Sequence, residues 1–190
     1  MNRTQAVRSR WAGGRAAIAI RQARTEDLPA LGDFFAGLST YTRYLRFFGP
    51  VTPGGALLRT LAGVPDNVDA LVAVRSGVIV GHAMAVDRIE RQHPQKPAET
   101  RVTDIGVVVD DDWQGRGVGS ALMRALVTGA QARGVITLEM DVLAGNHRVL
   151  AMVTGHWPAA CVDRNSDGLA IRVRLPQASP AAITPRLATG

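Results

Sequence analysis

Apolar residues recur along this chain in two rhythms: short alternating or continuous runs that predict strands, and spacings of three and four that predict helices. A first strand is read over residues 17–23. After it, Thr25-Glu26-Asp27-Leu28-Pro29 combines a Thr cap, two acids and an early Pro, the signature of a helix start. That helix carries Leu28, Leu31, Phe34, Phe35 and Leu38 on one side. A second helical stretch spans 41–48 and stops at Gly49-Pro50; a third covers 56–62. Residues 69–75 and 78–86 are apolar runs joined by Ser76-Gly77, a two-residue hairpin signal. Residues 88–102 are polar and contain Pro94 and Pro97, which predicts an exposed loop. A strand over 102–109 follows, then a glycine-rich turn and a helix from about Gly117 to Arg133, closed by Gly134. Ile136, Leu138, Met140 and Val142 alternate with Thr137, Glu139 and Asp141 as the next strand. A short helix over 150–154 and a strand over 169–175 complete the pattern.

This order, βαα(α)ββ followed by βαβαβ, implies an α/β (α+β) fold: a mixed sheet of about six strands with helices on both faces. Residues 1–16 show no hydrophobic period and read as a disordered basic tail; the Pro- and Ala-rich residues 176–190 read as a C-terminal tail. Between them, 17–175 is expected to form one domain, because 190 residues with 46% hydrophobic content suffice for one core and fall short of two. No internal repeat is apparent.

Charge changes the picture less than its total suggests. The net charge of +6 invites a nucleic-acid partner, but Arg3, Arg8, Arg10, Arg15, Arg21 and Arg24 all precede the first acid, Glu26. Without them, basic and acidic residues balance, so the excess belongs to one end and argues against nucleic acid. Lys96 is the only lysine. No run reaches the roughly 18 to 20 apolar residues of a membrane span, and the N-terminus lacks the apolar stretch of a signal peptide, so a cytoplasmic protein without a membrane partner is expected. The single cysteine, Cys161, excludes an internal disulfide, and with four scattered histidines it offers no metal spacing.

The chemistry concentrates at residues 107–123, Val-Val-Val-Asp-Asp-Asp-Trp-Gln-Gly-Arg-Gly-Val-Gly-Ser-Ala-Leu-Met. Glycines at alternate positions permit positive φ and a close backbone approach, and the free amides of the following helix start attract an anion. A P-loop needs Gly-Lys-Ser/Thr, and no Lys is present. A dinucleotide fingerprint fails because Ser120 or Leu122 stands where its last Gly or Ala belongs. What remains is Gln114-x-x-Gly117-x-Gly119 directly after an apolar strand, which resembles the acetyl-CoA pyrophosphate loop of the GNAT superfamily of N-acetyltransferases.

The resemblance covers about residues 17–175 and is strongest over 102–157. It implies a GNAT fold whose mostly antiparallel sheet splays at its centre, with acetyl-CoA as co-substrate and no metal. The peptide groups of Val107, Val108 and Val109 would pair with the cofactor's pantetheine arm, and amides near Val109 would polarise the thioester carbonyl. Gln114 and the amides of Gly115, Arg116, Gly117, Val118, Gly119 and Ser120 would hold the pyrophosphate. Asn146 matches an Asn that often contacts the cofactor arm, and is also what any turn would choose. The tyrosine that the family often uses as acid to the leaving thiolate is replaced by Val153, which leaves solvent, His147 or His156. Asp104, ten residues before Gln114, resembles the position of a catalytic Glu in bacterial Pat-type protein-lysine acetyltransferases and is the expected general base; the alternative is a solvated strand-end acid. The triplet Asp110-Asp111-Asp112 is expected to bond loop amides instead. Leu38-Ser39-Thr40-Tyr41-Thr42-Arg43-Tyr44-Leu45-Arg46-Phe47-Phe48 is similar to a Pat-type stretch bordering the acceptor site, and it holds four of the chain's nine aromatics. Direct transfer of acetyl to a primary amine, on a protein lysine or a small molecule, is the implied activity, in a monomer or homodimer. A non-catalytic acyl-CoA-binding sensor on the same fold is the alternative.

Overall fold

The computed structural model describes residues 17–93, 96–164, 166 and 168–176; for 91–93 and 96–100 it describes the backbone alone. Both expected tails lie almost wholly outside the described residues. The chain runs β1 Ala19–Gln22, α1 Leu28–Gly37, α2 Thr40–Phe47, α3 Gly55–Leu61, β2 Val68–Arg75, β3 Val78–His93, β4 Lys96–Val109, α4 Val118–Ala132, β5 Thr137–Val142, α5 His147–His156, β6 Cys161–Arg164 and β7 Leu169–Arg174. One sheet of seven strands takes them in the order β1-β2-β3-β4-β5-β7-β6. Every pairing is antiparallel except β4 with β5, which the α4 crossover joins in parallel.

Two expectations need correction. The sheet has seven strands because β6, exposed at all four positions, pairs with β7 at the sheet edge. An edge ladder is satisfied by main chain, so no apolar rhythm marks it. Residues 88–102 are not a loop: β3 and β4 continue as a long hairpin, with Arg88 opposite Val102 and Glu90 opposite Thr100. Polar side chains do not disturb an antiparallel ladder, and Pro97 sits at the start of β4, where a missing donor is tolerated. A smaller difference concerns Thr25, which lies in a single 3-10 turn ahead of α1 and caps nothing. Asp27 organises that corner instead, accepting from the Arg24 amide at 2.9 Å and from both Arg21 Nη atoms. The β2–β3 turn is as the sequence suggests, with φ of 48° at Ser76 and 84° at Gly77, the positive pair that a tight hairpin requires.

Both faces of the sheet are covered. Leu31, Phe35, Leu61, Val72 and Val108 pack α1 and α3 onto one face; Leu71, Ala73, Ala83, Leu122 and Leu126 pack α4 onto the other. Gly81 lets α4 lie close, since a Cβ there would stand 3.0 Å from Leu122 Cδ1. Leu138, Val153, Ile171 and Val173 form a third cluster that joins α5 to β5 and β7. Each fully buried Leu or Ile contributes about 1.5–3 kcal/mol, so these clusters hold the sheet firm around an opening between β4 and β5. Those two strands pair only from Val102 opposite Thr137 to Asp104 opposite Glu139. Beyond those rungs the strands part. Among the described residues no helix is long and apolar enough to cross a membrane.

Candidate active site

The parted strands open a cleft of about 1490 Å³ that reaches from α4's first turn to α2 and α5. Along one side, β4 stays paired to β3 through Val109, while its other edge is unpaired after Asp104. A free strand edge accepts an extended ligand as an added strand. The turn that follows carries φ of 71° at Gly115 and 81° at Gly117, and a Cβ at either would project into open space. Gly119 differs: it is already helical, and a Cβ there would lie 3.5 Å from Val109 Cγ2. Among the described residues no amide from Gly115 to Ser120 finds an acceptor; the first amide beyond them, Ala121, donates to Gly117. A row of aligned, unpaired N–H groups at the positive end of a fifteen-residue helix is what a diphosphate needs. Arg116 and Arg75 both lie against the Trp113 ring, at 5.0 and 4.4 Å from its centroid, and add positive charge nearby.

The turn is anchored by its polar side chains. Asp110 accepts from the Asp112 amide at 3.0 Å, the loop role expected of the acidic triplet. Asp111 does something else: it accepts from the Ser39 amide and hydroxyl and from Thr42 Oγ1, at 2.9, 2.8 and 2.6 Å, and so ties the start of α2 to the loop. Partial burial pushes the Asp111 carboxyl up, but these hydrogen bonds outweigh it and hold the group below its usual range. Gln114 is a hub, donating from Nε2 to Thr42 Oγ1 and to the Val109 carbonyl, both at 3.2 Å, and accepting from Arg148 at 2.7 Å. It links the end of β4, α2 and α5 across the cleft.

The apex of the splay is charged. Asp104 lines the cleft, and its Oδ2 accepts from Arg88 Nε at 3.0 Å; the same guanidinium reaches Glu139 on β5, which also pairs with Arg172. One oxygen of Asp104 is therefore committed and Oδ1 has no partner among the described residues. Two positions along the same face of β4, Gly106 lies under the guanidinium of Arg46 from α2; a Cβ on Gly106 would stand 2.5 Å from Arg46 Nη2. Burial pulls the Arg46 pKa down to about 10. His82, fully buried behind it, is pushed down to about 3 by burial and by Arg46, and donates from Nε2 to the Leu61 carbonyl at 2.7 Å. It is a neutral core residue.

The expected site residues are largely gathered here. Asp104, Val107, Val108, Val109, Gln114, Gly115, Gly117, Gly119, Ser120 and Asn146 all line the cleft. Val118 turns its side chain into the core and Arg116 lies on Trp113, and neither lines the cleft. Asn146 caps α5, its Oδ1 accepting from the Val149 amide at 3.3 Å. Val153 is fully buried in the core. His147 lines the cleft, whereas His156 is bonded to the Met152 carbonyl on exposed surface away from it. Three arginines had no assigned role in the sequence. Arg88 lies in a stretch that reads as loop, Arg148 follows the turn after β5 without any motif, and Arg46 belongs to the Pat-like stretch 38–48, which marks the acceptor border but gives the arginine no role of its own.

Residues 39–154 match the family model described as the acetyltransferase (GNAT) family. An L-amino acid N-acetyltransferase, AaaT, of Escherichia coli strain K12 is 34% identical over 110 residues, 58% of this chain and 62% of that protein. Acetyltransferase Pat of Mycolicibacterium smegmatis is 38% identical over 109 residues, 57% of this chain and 31% of that protein. The chain thus spans less than two thirds of either relative's length. In three dimensions it is similar to the GNAT domain of S. lividans PAT, with a TM-score of 0.65 at 22% identity over 84% of this chain and 91% of that one. The protein yncA of Salmonella typhimurium, solved with its cofactor acetyl-CoA, gives a TM-score of 0.61 at 14% identity over 87% and 98% of the two chains. These likenesses support the fold.

Proposed function

The chain belongs to the GNAT acetyltransferase family, and from that premise we propose that it transfers an acetyl group from acetyl-CoA to a primary amine held in the same cleft. The observation that carries the reading is the run of acceptor-free amides from Gly115 to Ser120, adjoining the unpaired edge of β4. Acetyl-CoA, when bound, supplies an activated acyl thioester. The loop amides bind and neutralise its diphosphate, and the residues 105–109 edge aligns the extended arm so that the acyl carbon lies beside the apex of the splay. An amine that enters from the α2 side is protonated at neutral pH, with an ordinary pKa of about 10.4, and needs a proton acceptor. Asp104, through Oδ1 or a bridging water, takes one proton from the ammonium and so frees its lone pair; the neutral nitrogen then attacks, and its second proton passes to solvent as the carbon–nitrogen bond forms and the carbon–sulfur bond breaks. Main-chain amides near Val109 stabilise the charge that develops on the carbonyl oxygen. Solvent, or His147 at the cleft wall, returns a proton to the sulfur. Arg88 fixes the Asp104 carboxylate in one orientation.

The relatives' names leave the acceptor open between a free amino acid and other amines. The test is thiol release from acetyl-CoA over a panel of L-amino acids, small amines and lysine-containing peptides, with the acetylated amine identified by mass. Acceptor-dependent thiol release with acetylated product is expected. Tight coenzyme A binding with no acetylated product from any amine would mark the chain as an acyl-CoA sensor instead.

A further inference from the structure

Arg46 carries a positive charge in the cleft wall that the protein itself does not answer. Among the described residues no carboxylate pairs with it, and its Nε is shut off from solvent without an acceptor. Its contacts are the Phe47 ring, 5.0 Å from the guanidinium carbon, and the bare backbone of Gly106. The residue as a whole is only half-buried, and a partly desolvated cation without a counter-charge is costly, so a ligand that completes it is favoured. Gly106 gives the guanidinium its seat against the strand: a Cβ there would stand 2.5–3.0 Å from its Cζ and both Nη atoms, and the flexible Arg46 side chain would have to shift. The lowered proton affinity of Arg46 is the same unanswered burial expressed in titration. The cofactor's diphosphate is too far to be the missing anion. Gly106 lies three residues back from the end of β4, about 10 Å at 3.3 Å per residue, and the acceptor-free amides begin only beyond that end. Asp104, the proposed proton acceptor, is two residues from Gly106 on the same face, about 6.6 Å away along the strand.

We propose that Arg46 is the anchor for a free carboxylate on the acceptor, so that the acceptor is an α-amino acid or a similarly short amino acid rather than a protein lysine. This rests on the acetyltransferase reading above. A guanidinium presents a planar fork of donors suited to both oxygens of a carboxylate. With the carboxylate on Arg46, an amine one carbon away lies between Gly106 and Asp104, where its proton can be taken. The side chain of such an acceptor has room in a hollow of about 410 Å³ that continues the cleft between Tyr41, Tyr44 and Gly145. A lysine inside a polypeptide has no free carboxylate near its ammonium, and would leave Arg46 unpaired when bound.

The experiment compares each common L-amino acid with its carboxamide, by initial rate at saturating acetyl-CoA and by calorimetric binding to the protein loaded with coenzyme A. For the accepted amino acid, kcat/KM and affinity should exceed those of the carboxamide by about 10- to 100-fold, the loss typical of a charge-assisted pair. Arg46→Met should abolish that preference by raising the KM and Kd of the acid alone, and Arg46→Lys should restore part of it. Coenzyme A affinity in the absence of acceptor should be unchanged in both, which also reports that they fold. Equal rates and affinities for acid and carboxamide in the unaltered protein, or a preference that survives in Arg46→Met, would overturn the proposal. The two measurements separate the claims: acid-selective binding without product removes the acetyltransferase reading and keeps the anchor, whereas product formed from amines regardless of a carboxylate does the reverse.

Discussion

On the side of the cleft that faces α4, residues 105–120 present main chain: a free strand edge, then unpaired amides in a turn shaped by Gly115 and Gly117. On the side that faces α2, the groups are side chains: Asp104 held by Arg88, and Arg46 laid on Gly106. The difference separates two kinds of recognition. Backbone groups are identical in every residue, so the first side depends on where the chain turns and tolerates many side chains; its task is a cofactor common to a whole family. The second side depends on which side chains stand there, and the acceptor is chosen by them. Affinity for coenzyme A and turnover of the acceptor should therefore fail independently.

The largest effect expected is on turnover. Asp104→Asn preserves size and removes the proton acceptor, and turnover should fall by roughly the 10²- to 10⁴-fold of general acid–base catalysis, with coenzyme A affinity nearly unchanged. Raising the pH should recover part of the rate, because more amine then arrives neutral. A wild-type rate at saturating acceptor would make Asp104 merely Arg88's partner at a strand end. Gly117→Val attacks the opposite side. Its φ of 81° is strained for any side chain, and the Val would fill the space above the amides. Coenzyme A affinity should drop by about 100-fold, the loss expected from about one hydrogen bond to a charged group, while the melting temperature shows that the domain remains folded. Undiminished affinity in a folded Gly117→Val protein would remove the main-chain cradle from the account.

The two sides also differed in how far they could be read from the sequence. Positive φ and free amides follow from glycine placement ahead of an apolar helix, so Gln114 to Ser120 could be located without a structure. The helices and strands with apolar rhythm were equally legible, down to the Ser76-Gly77 turn. On the acceptor side Asp104 and the stretch 38–48 could be placed, but not the pairings around them. Arg88 lies in a charged hairpin whose ladder is made by main chain, so its sequence looks like a loop, and its pairing across to Asp104 and Glu139 depends on three strands meeting at the apex. Arg46 and Gly106 are sixty residues apart, and neither means anything alone. Asp111 appeared to belong to its own turn, yet it reaches back to Ser39 and Thr42. Side-chain pairings between distant segments carry no local pattern, and that is where specificity resides.

The account turns on a cofactor held by main chain, and titration with coenzyme A followed through backbone amide chemical shifts tests it most directly. The largest changes should fall on the amides of Gly115 to Ser120 and on residues 105–109, with little at β1, β2 and α1, which lie away from the splay. Shifts concentrated instead around Tyr41, Tyr44 and Arg164, with the glycine turn unmoved, would contradict it.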